Sequence, residues 1–342
     1  MTSPNVANSD YNELDGVVAP TAKDAWAVGF ARTSGLLFHV LVEHWNGTAW
    51  SIHASAPLPA STDTRLHALA ALSSSNVWAV GGRATPASSR SLIEHWNGTS
   101  WSIVPSPSGE PVGSELLGIS AVSASDIWAV GAGSGALIEH WNGTAWSVVA
   151  SPLLSGFGRL TGVAAVSASD VWAVGRDGRH PVPVIEHWNG SSWTLVSQPV
   201  GGYDSALNSV SAVSATDIWA VGEQNLNQTV TEHWNGTSWT LVPSPSVTAN
   251  NAQDTLSGVR ALGTGDVWAV GSTLQSFTTD QTLAEHWDGT KWQIVPSADP
   301  AAGADSFSSV AGSAAGQPLW AVGFGTSSGT PQFTTLVETT TG

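Results

Sequence analysis

The sequence predicts an all-β protein, because its 342 residues consist almost entirely of seven similar units of about 49 residues. Every unit contains the string WAVG, and six units also contain EHW followed by Asn or Asp and then Gly. The segments around both strings are short and rich in Val, Ile, Trp and Thr, which is typical of β-strands. The WAVG tryptophans are Trp26, Trp78, Trp128, Trp172, Trp219, Trp268 and Trp320, and the EHW glutamates are Glu43, Glu94, Glu139, Glu186, Glu232 and Glu285.

Four strands, A to D, are predicted in each unit from the contrast between fixed and variable spacing. The Leu that opens strand A precedes the WAVG Trp by 12 residues in six units, and the EHW Glu always precedes the last Trp by 7. Between WAVG and Glu, 7 to 14 residues intervene, which indicates a B–C loop. Asn-Gly between C and D predicts a two-residue type I′ hairpin. An Asp such as Asp126 is expected to cap the A–B turn through its side chain.

Seven sequential four-stranded sheets that are apolar on both faces must stack on one another in a ring, which predicts a β-propeller. We expect one domain over residues 1–342, with the 19 Trp as its main packing groups. The sequence after strand C of the last unit ends at Gly342, so the seventh blade is predicted to be incomplete, with three strands. The predicted blades span approximately residues 11–57, 64–106, 115–152, 159–199, 206–245, 255–298 and 306–342.

The second unit, from WAVGG through IEHWNGTSW to SIVPSPS (residues 78–108), resembles the kelch repeat. This resemblance covers nearly the whole chain and implies the superfamily of the galactose-oxidase central domain, whose propellers commonly have six or seven blades. Two features depart from the kelch pattern. The double Gly occurs only at Gly81-Gly82, and Trp stands where kelch repeats usually have Tyr before the turn. The resemblance predicts the fold and leaves function open.

In a blade of alternating strands, the B–C loops and D–A linkers lie at one end, which we call the variable face. Loops on a rigid scaffold usually carry function, so we expect the ligand there. The short third B–C loop predicts a depression that suits an anionic or polyhydroxylated ligand. The alternative is that the arginines of these loops, Arg83, Arg90, Arg176 and Arg179, only increase solubility. At the channel mouth we expect structural ion pairs among Glu13, Arg65, Glu115 and Arg159. The candidate ligand-binding residues are Arg83, Arg90, Arg176, Arg179, His180 and Tyr203.

The composition argues against several other functions. A net charge of −16 with only 10 Lys and Arg is unfavourable for nucleic acid or membrane partners. The chain has no Cys, so galactose-oxidase radical chemistry, which needs a Cys linked to a Tyr, is excluded. The EHW histidines occupy equivalent positions in different blades, too far apart to share a metal ion. We expect the EHW Glu and His to form repeated buried hydrogen bonds, and we expect neither a metal nor a cofactor.

A non-catalytic binding scaffold for a protein or polymer is therefore the leading functional interpretation. A carbohydrate-binding lectin is the first alternative. A glycan-acting hydrolase or lyase is the second, with Tyr203 and Asp204 near Arg159 and Arg176 as its candidate residues. The location is expected to be extracellular or on the cell surface. The edge of the incomplete seventh blade is expected to permit self-association, because an unpaired strand edge invites pairing with another chain.

Overall fold

A computed structural model describes residues 2–33, 35–85, 88–107, 111, 113–153, 156–178, 181–200, 204–225, 228–247, 253–275, 279–297, 303–326 and 332–340. These residues form 27 strands in seven antiparallel sheets. Six sheets have four strands and the last has three, in simple sequential order. The protein is therefore an all-β, seven-bladed propeller whose described residues contain no helix, as the sequence predicts.

The strands follow the predicted A–B–C–D order in each blade. Blade one contains β1 (Tyr11–Thr21), β2 (Asp24–Arg32), β3 (His39–Trp45) and β4 (Trp50–His53), and blade two contains β5 (Asp63–Ser73), β6 (Asn76–Thr85), β7 (Ser88–Trp96) and β8 (Trp101–Ile103). Blade three contains β9 (Glu115–Ser123), β10 (Asp126–Ala132), β11 (Ala136–Trp141) and β12 (Trp146–Val149). Blade four contains β13 (Arg159–Ser167), β14 (Asp170–Asp177), β15 (Val182–Trp188) and β16 (Trp193–Val196).

The remaining three blades repeat the pattern, except that the seventh has no described fourth strand. They contain β17 (Ala206–Ser214), β18 (Asp217–Gln224), β19 (Gln228–Trp234), β20 (Trp239–Leu241); β21 (Gln253–Gly263), β22 (Asp266–Gln275), β23 (Thr279–Trp287), β24 (Trp292–Ile294); β25 (Asp305–Gly312), β26 (Leu319–Thr326) and β27 (Phe333–Thr340).

The hydrophobic core lies between adjacent blades rather than within them. One cluster joins Trp26 and Val28 of blade one to Leu66 and Val77 of blade two, and a comparable cluster lies at each of the other junctions. Strand B is buried on both faces, because it is sandwiched between the two neighbouring sheets. The ring closes where Trp320 packs with blade one.

The tryptophans interlock across these junctions. The strand B ring of one blade meets the strand D ring of the next edge to face, as between Trp128 and Trp193, whose centroids lie 5.4 Å apart at 80°. Such edge-to-face pairs stabilise beyond the area they bury. Six strand B tryptophans are almost completely buried, and Trp268 of blade six is only partly buried.

A β-bulge in strand A and the Gly of WAVG occupy the same place in every blade. In blade three the pairing of β9 with β10 shifts register beside Gly131. A Cβ added to Gly131 would lie 2.0 Å from the carbonyl oxygen of Glu115, so only glycine fits. The other six motif glycines have an equivalent contact at 1.9–2.1 Å. The bulge turns one residue of each strand A towards the central channel.

The C–D connection differs from the predicted turn. Trp96 and Trp101 pair directly, so the hairpin loop contains four residues, not two. Only Gly98 has a positive φ, of 94°, whereas a type I′ turn needs two such residues. The Oδ1 of Asn97 instead accepts hydrogen bonds from Thr99 and Ser100. The Asn-Gly pair therefore predicted the presence of a hairpin correctly, but the predicted two-residue type I′ turn was wrong.

The Asp that begins strand B also has a different role from the predicted one. In blade four the Oδ1 of Asp170 accepts the Trp172 Nε1–H at 2.8 Å and lies 2.8 Å from Nε2 of His187. The A–B turn is instead closed by Ser167, whose Oγ accepts the N–H of Ser169. The EHW histidines thus bond to the neighbouring strand. Five of their rings stack on the strand B Trp of the same blade, as His140 does on Trp128, and the His187 ring is tilted by 31° on Trp172.

Candidate functional site

The central channel contains a cavity of about 570 Å³. The innermost strands of all seven blades line it, mostly with Gly, Ala, Ser and Val. Its charged lining residues are Asp15, His67 and Arg260. The Nε of Arg260 donates to the carbonyl oxygen of Gly312 in the next blade, at 3.2 Å. Asp15 and His67 lie near the channel mouth on the variable face, whereas Arg260, which pairs with Trp268 near the A–B turn, lies towards the opposite end.

Two rings of residues define that mouth. The first consists of the residue that precedes the core position of each strand A: Glu13, Arg65, Glu115, Arg159, Ala206, Thr255 and Ser306. The second consists of the bulge residues: Asp15, His67, Leu117, Thr161, Asn208, Ser257 and Ser308. Charge is confined to blades one to four, so the mouth is asymmetric although the scaffold is nearly symmetric.

His67 connects the first three blades. Its Nδ1 lies 2.6 Å from Oδ2 of Asp15, and its Nε2 lies 2.8 Å from Oε1 of Glu115. Burial alone would lower the pKa of His67, but the hydrogen bonds to both carboxylates outweigh it and raise the pKa to about 9. The imidazolium is therefore charged at neutral pH, and the Glu115 pKa is lowered by the same contact.

Glu13 and Arg65 do not form the ion pair that the alternating signs suggested. Burial and the nearby charge of Asp15 raise the pKa of Glu13 to about 7, and Oε2 of Glu13 accepts the Tyr11 hydroxyl at 2.6 Å. Arg65 instead pairs with Asp63 at 3.3 Å. Its guanidinium also lies 4.4 Å from the centroid of the Phe38 ring, a cation–π contact.

A second cavity, of about 240 Å³, opens beside blades four and five. Arg159 and Arg176 are cross-strand partners on β13 and β14 and both line it. The Nε of Arg159 is buried and has no hydrogen-bond partner among the described residues. Burial and the charge of Arg176 lower the pKa of Arg159. The other lining residues are Thr161, Ala206, Leu207, Asn208, Glu223 and Ser257.

This second cavity, which we call the arginine cavity, contains two guanidinium groups and one carboxylate. Glu223 is already engaged, because its Oε2 accepts the Thr255 hydroxyl at 2.8 Å. Asn208 and Thr161 donate to backbone carbonyls of the next blade, at 3.0 and 2.8 Å. The arrangement leaves local positive charge in a protein whose net charge is −16. Such a cavity favours a carboxylate, sulfate or phosphate group.

The structure brings together only some of the sequence-predicted site residues. Arg176 lines the arginine cavity, while Arg83 and Arg90 are cross-strand partners in blade two. Arg179, His180 and Tyr203 lie outside the described residues. The sequence analysis considered Arg159 for ion pairing and as a neighbour of the hydrolase candidates Tyr203 and Asp204, and it did not single out Asn208 or Glu223. The signal that could have identified Arg159, Asn208 and Glu223 is the position of each in the repeat, at the start of strand A, in its bulge and directly after WAVG.

Within the described part of the chain, no group of three or more His, Asp or Glu side chains is placed to hold a metal ion. The same residues include no helix long and apolar enough to cross a membrane.

No protein-family model matches the chain, and no curated protein matches it in sequence. Solved structures do match. YCF48 bound to a D1 peptide is 14% identical, with a TM-score of 0.59 over 99% of this chain and 97% of that one. A GH74 xyloglucanase from Xanthomonas campestris is 14% identical, with a TM-score of 0.63 over 93% of this chain and 53% of that one. A lectin variant from Aleuria aurantia, in complex with Fucα1-6GlcNAc, is 12% identical, with a TM-score of 0.51 over 86% of this chain and 97% of that one.

At these identities the similarity shows the fold alone, that of a seven-bladed β-propeller.

Proposed function

We propose that this propeller is a non-catalytic binding platform that holds a protein or polymer ligand on its variable face. The arginine cavity would receive an anionic group of that ligand, such as a peptide carboxylate. The observation that carries the proposal is the buried, unpartnered Nε of Arg159 beside Arg176. A buried donor without a partner costs free energy, and an anion that accepts from it recovers that cost.

Electrostatics supports a ligand that places a single anionic group in this cavity. Burial is the main cause of the lowered pKa of Arg159, and repulsion by the charge of Arg176 lowers it further. A carboxylate between them would relieve this repulsion and could accept paired N–H donors from a planar guanidinium. Glu223 on the cavity wall would oppose a second negative charge. We therefore expect selectivity for a single anionic group over a highly charged polyanion.

A lectin is the second candidate, because hydroxyl and amide groups of Thr161, Asn208 and Ser257 line the same cavity. The Aleuria aurantia lectin, which is similar in structure to this chain, was solved in complex with Fucα1-6GlcNAc, while YCF48 was solved with a bound peptide. A glycan-acting hydrolase is less well supported. Glycoside hydrolysis usually requires two carboxyl groups, and among the described lining residues of the arginine cavity Glu223 is the single carboxylate.

The test is to screen the purified protein on a peptide array and a glycan array, then repeat the leading hits with Arg159→Gln plus Arg176→Gln. Lys23→Gln plus Lys291→Gln is the matched control, since it removes two positive charges from exposed residues in turns at the opposite end of the strands. We expect hits that contain a carboxylate, at least about ten-fold weaker in the double variant and unchanged in the control. Equal binding by the double variant, or hits confined to neutral glycans, would refute the anion-binding role.

The kelch-like assignment, an extracellular or cell-surface location, and the expectation that nucleic acids and membranes are not partners belong to the same proposal. Their support is the repeat pattern and the strongly acidic composition. Of the residues suggested from the sequence, Arg83, Arg90 and Arg176 remain candidates for contacts of the variable face with the ligand.

A further inference from the structure

Arg260 is the only charged side chain in a third ring of the channel wall. This ring consists of the strand A residues that pair with the WAVG tryptophans, and each of them lines the channel cavity. Its members are Val18, Ala70, Ser120, Ala164, Ser211, Arg260 and Ala311. The ring lies towards the A–B turns, at the opposite end of the channel from the variable face. One blade therefore places a guanidinium where the other six have short, uncharged side chains.

The charge of Arg260 has little compensation within the described part of the chain. Its Nε donates to the carbonyl oxygen of Gly312 at 3.2 Å, and this neutral group uses one of five guanidinium N–H donors. Burial is the cause of the lowered pKa of Arg260, and no described carboxylate opposes it. Asp15, the only carboxylate among the described lining residues of the cavity, is bonded to His67 at 2.6 Å. A charge removed from water costs free energy unless a charged partner neutralises it.

Two serine hydroxyls of the third ring provide further donors. Oγ of Ser211 accepts the N–H of Ala261 at 3.0 Å, and Oγ of Ser120 accepts the N–H of Ala165 at 3.0 Å. Each hydroxyl keeps its own proton, for which the described residues provide no acceptor. Because Ala261 directly follows Arg260, the hydroxyl of Ser211 is held against the strand that carries the guanidinium. The third ring thus contains several hydrogen-bond donors and no anionic side chain.

The channel gives a small ion access to Arg260. Two residues nearer the variable face, the strand A residues that pair with the WAVG valines are all Gly, Ala or Ser. They are Gly16, Ala68, Gly118, Gly162, Ser209, Gly258 and Ser309. The cavity of about 570 Å³ is large beside the roughly 30 Å³ that one molecule of liquid water occupies. A hydrated ion can therefore pass from the mouth to the third ring.

We propose that the third ring binds one small monovalent anion, a halide or a short carboxylate, through the guanidinium of Arg260 and the hydroxyl of Ser211. Both groups are donors, so they suit an acceptor that carries the negative charge. A single guanidinium neutralises a single negative charge, and a divalent anion would retain an uncompensated charge. The anion would connect blades five and six at the axis. It would stabilise the folded ring, because the unfolded chain lacks the site.

The test follows the Tm of the chain as sodium chloride or sodium formate is added. Salt screens repulsion within any acidic protein, and Arg260→Gln should show this screening effect alone. We expect the wild-type Tm to rise by at least about 2 °C more than that of Arg260→Gln, because an anion that binds only the folded protein stabilises it. Arg159→Gln plus Arg176→Gln should keep the full gain. The chloride and formate concentrations at half of the gain show whether a halide or a carboxylate is preferred.

Two further measurements test the proposal if Arg260→Gln does not fold. Ser211→Ala retains the guanidinium and removes one donor, so half of its gain in Tm should need at least about three-fold more anion. Crystals of the wild type grown in sodium bromide should show anomalous scattering from a bromide beside Arg260.

Three results would overturn the proposal. The first is an equal rise in Tm for the wild type and Arg260→Gln, since salt would then act by screening alone. The second is loss of the gain in the double variant of Arg159 and Arg176, which would place the anion in the arginine cavity. The third is a third ring without bromide in such crystals, since water would then solvate the guanidinium. None of these results contradicts the proposed function, which the peptide and glycan arrays test separately.

Discussion

Glu94 of blade two accepts the backbone N–H of Ala56 at 3.1 Å, and Ala56 belongs to the linker that leaves blade one. The same glutamate position holds the preceding linker in other blades, as Glu232 does through the N–H of Val200. All six EHW glutamates are fully buried. The EHW glutamate therefore links consecutive blades through a hydrogen bond to the linker between them. This role explains why an acidic residue recurs in an apolar strand.

The first prediction concerns pH. Burial raises the pKa of four of these glutamates to about 7, namely Glu43, Glu94, Glu186 and Glu232, and burial together with Asp254 raises that of Glu285 to about 8. Between the ordinary pKa of about 4.3 and these values, the folded protein binds protons that the unfolded chain releases. The free energy of unfolding must then fall as pH rises through this window. We expect a higher Tm at pH 5 than at pH 8, measured by tryptophan fluorescence.

Glu94→Gln tests the origin of this effect, because the amide oxygen can still accept the Ala56 N–H but the side chain no longer titrates. The difference in Tm between pH 5 and pH 8 should shrink. Asp10→Asn is the control: Asp10 is exposed, and its hydrogen bond with Arg32 lowers its pKa, so the difference should be unchanged. A wild-type Tm that increases from pH 5 to pH 8 would contradict the assignment.

The second prediction compares two tryptophans at the same repeat position. Trp128→Ala removes a ring that is 2% exposed and contacts Trp188 and Trp193. Its expected cost is about 3–5 kcal/mol of unfolding free energy. Trp268→Ala should cost at least about 1 kcal/mol less, since its ring is partly exposed and no described Trp ring is seen to pack on it. Urea titration of both variants measures the difference, and equal losses would contradict the difference in burial between the two rings.

The third prediction concerns the C–D hairpin. Asn97→Ala removes three hydrogen bonds to Oδ1, at 2.7–3.1 Å, and should cost about 1 kcal/mol because the turn is exposed. Asn97→Asp should be nearly neutral at pH 7, since Asp288 makes the same bonds in blade six. These bonds lower the pKa of Asp288 to about 2. The Asp variant should thus lose stability relative to wild type only as pH falls from about 4 towards 2, and equal loss at pH 7 would contradict this account.

The fourth prediction concerns the cation at the channel mouth. His67→Gln leaves Asp15 and Glu115 without their shared partner and should cost roughly 2 kcal/mol at pH 6. Because the pKa of His67 is raised to about 9 in the folded protein, its contribution is complete below about 6.5 and is lost as pH rises through 9. The Tm difference between variant and wild type should therefore be larger at pH 6 than at pH 10. An identical difference at both pH values would show that the imidazolium is not the stabilising species.

Spacing in the repeat was sufficient to predict the fold. Fixed distances between Trp, Glu and Gly indicated seven equivalent sheets, and burial of Trp128 between blades follows from the same pattern. The local chemistry was harder to predict. Asp170 bonds to His187 and Trp172 rather than to its own turn, because the three side chains meet only when strands B and C pair. A turn signal read along the chain contains no information about that cross-strand contact.

The candidate site was less predictable for a related reason. Loop position suggested Arg83, Arg90 and Arg176, but the arginine cavity also depends on Arg159, which begins an innermost strand. Asn208 reaches it only because strand A has a bulge at that residue. A one-residue bulge reverses which side chains face the axis. Alternation alone therefore could not identify the inward residues.

The glycine of WAVG has a further consequence. Its missing side chain allows the neighbouring carbonyl to approach and the bulge to form, which is the local distortion that sends one residue of each strand towards the axis. The scaffold thus depends on glycine at this position but makes no demand on the identity of the inward residue, which is Asp, His, Leu, Thr, Asn or Ser in different blades. The mouth can consequently be redesigned at seven positions around a single opening, with Asp15 and His67 changed together because they are hydrogen-bonded to each other.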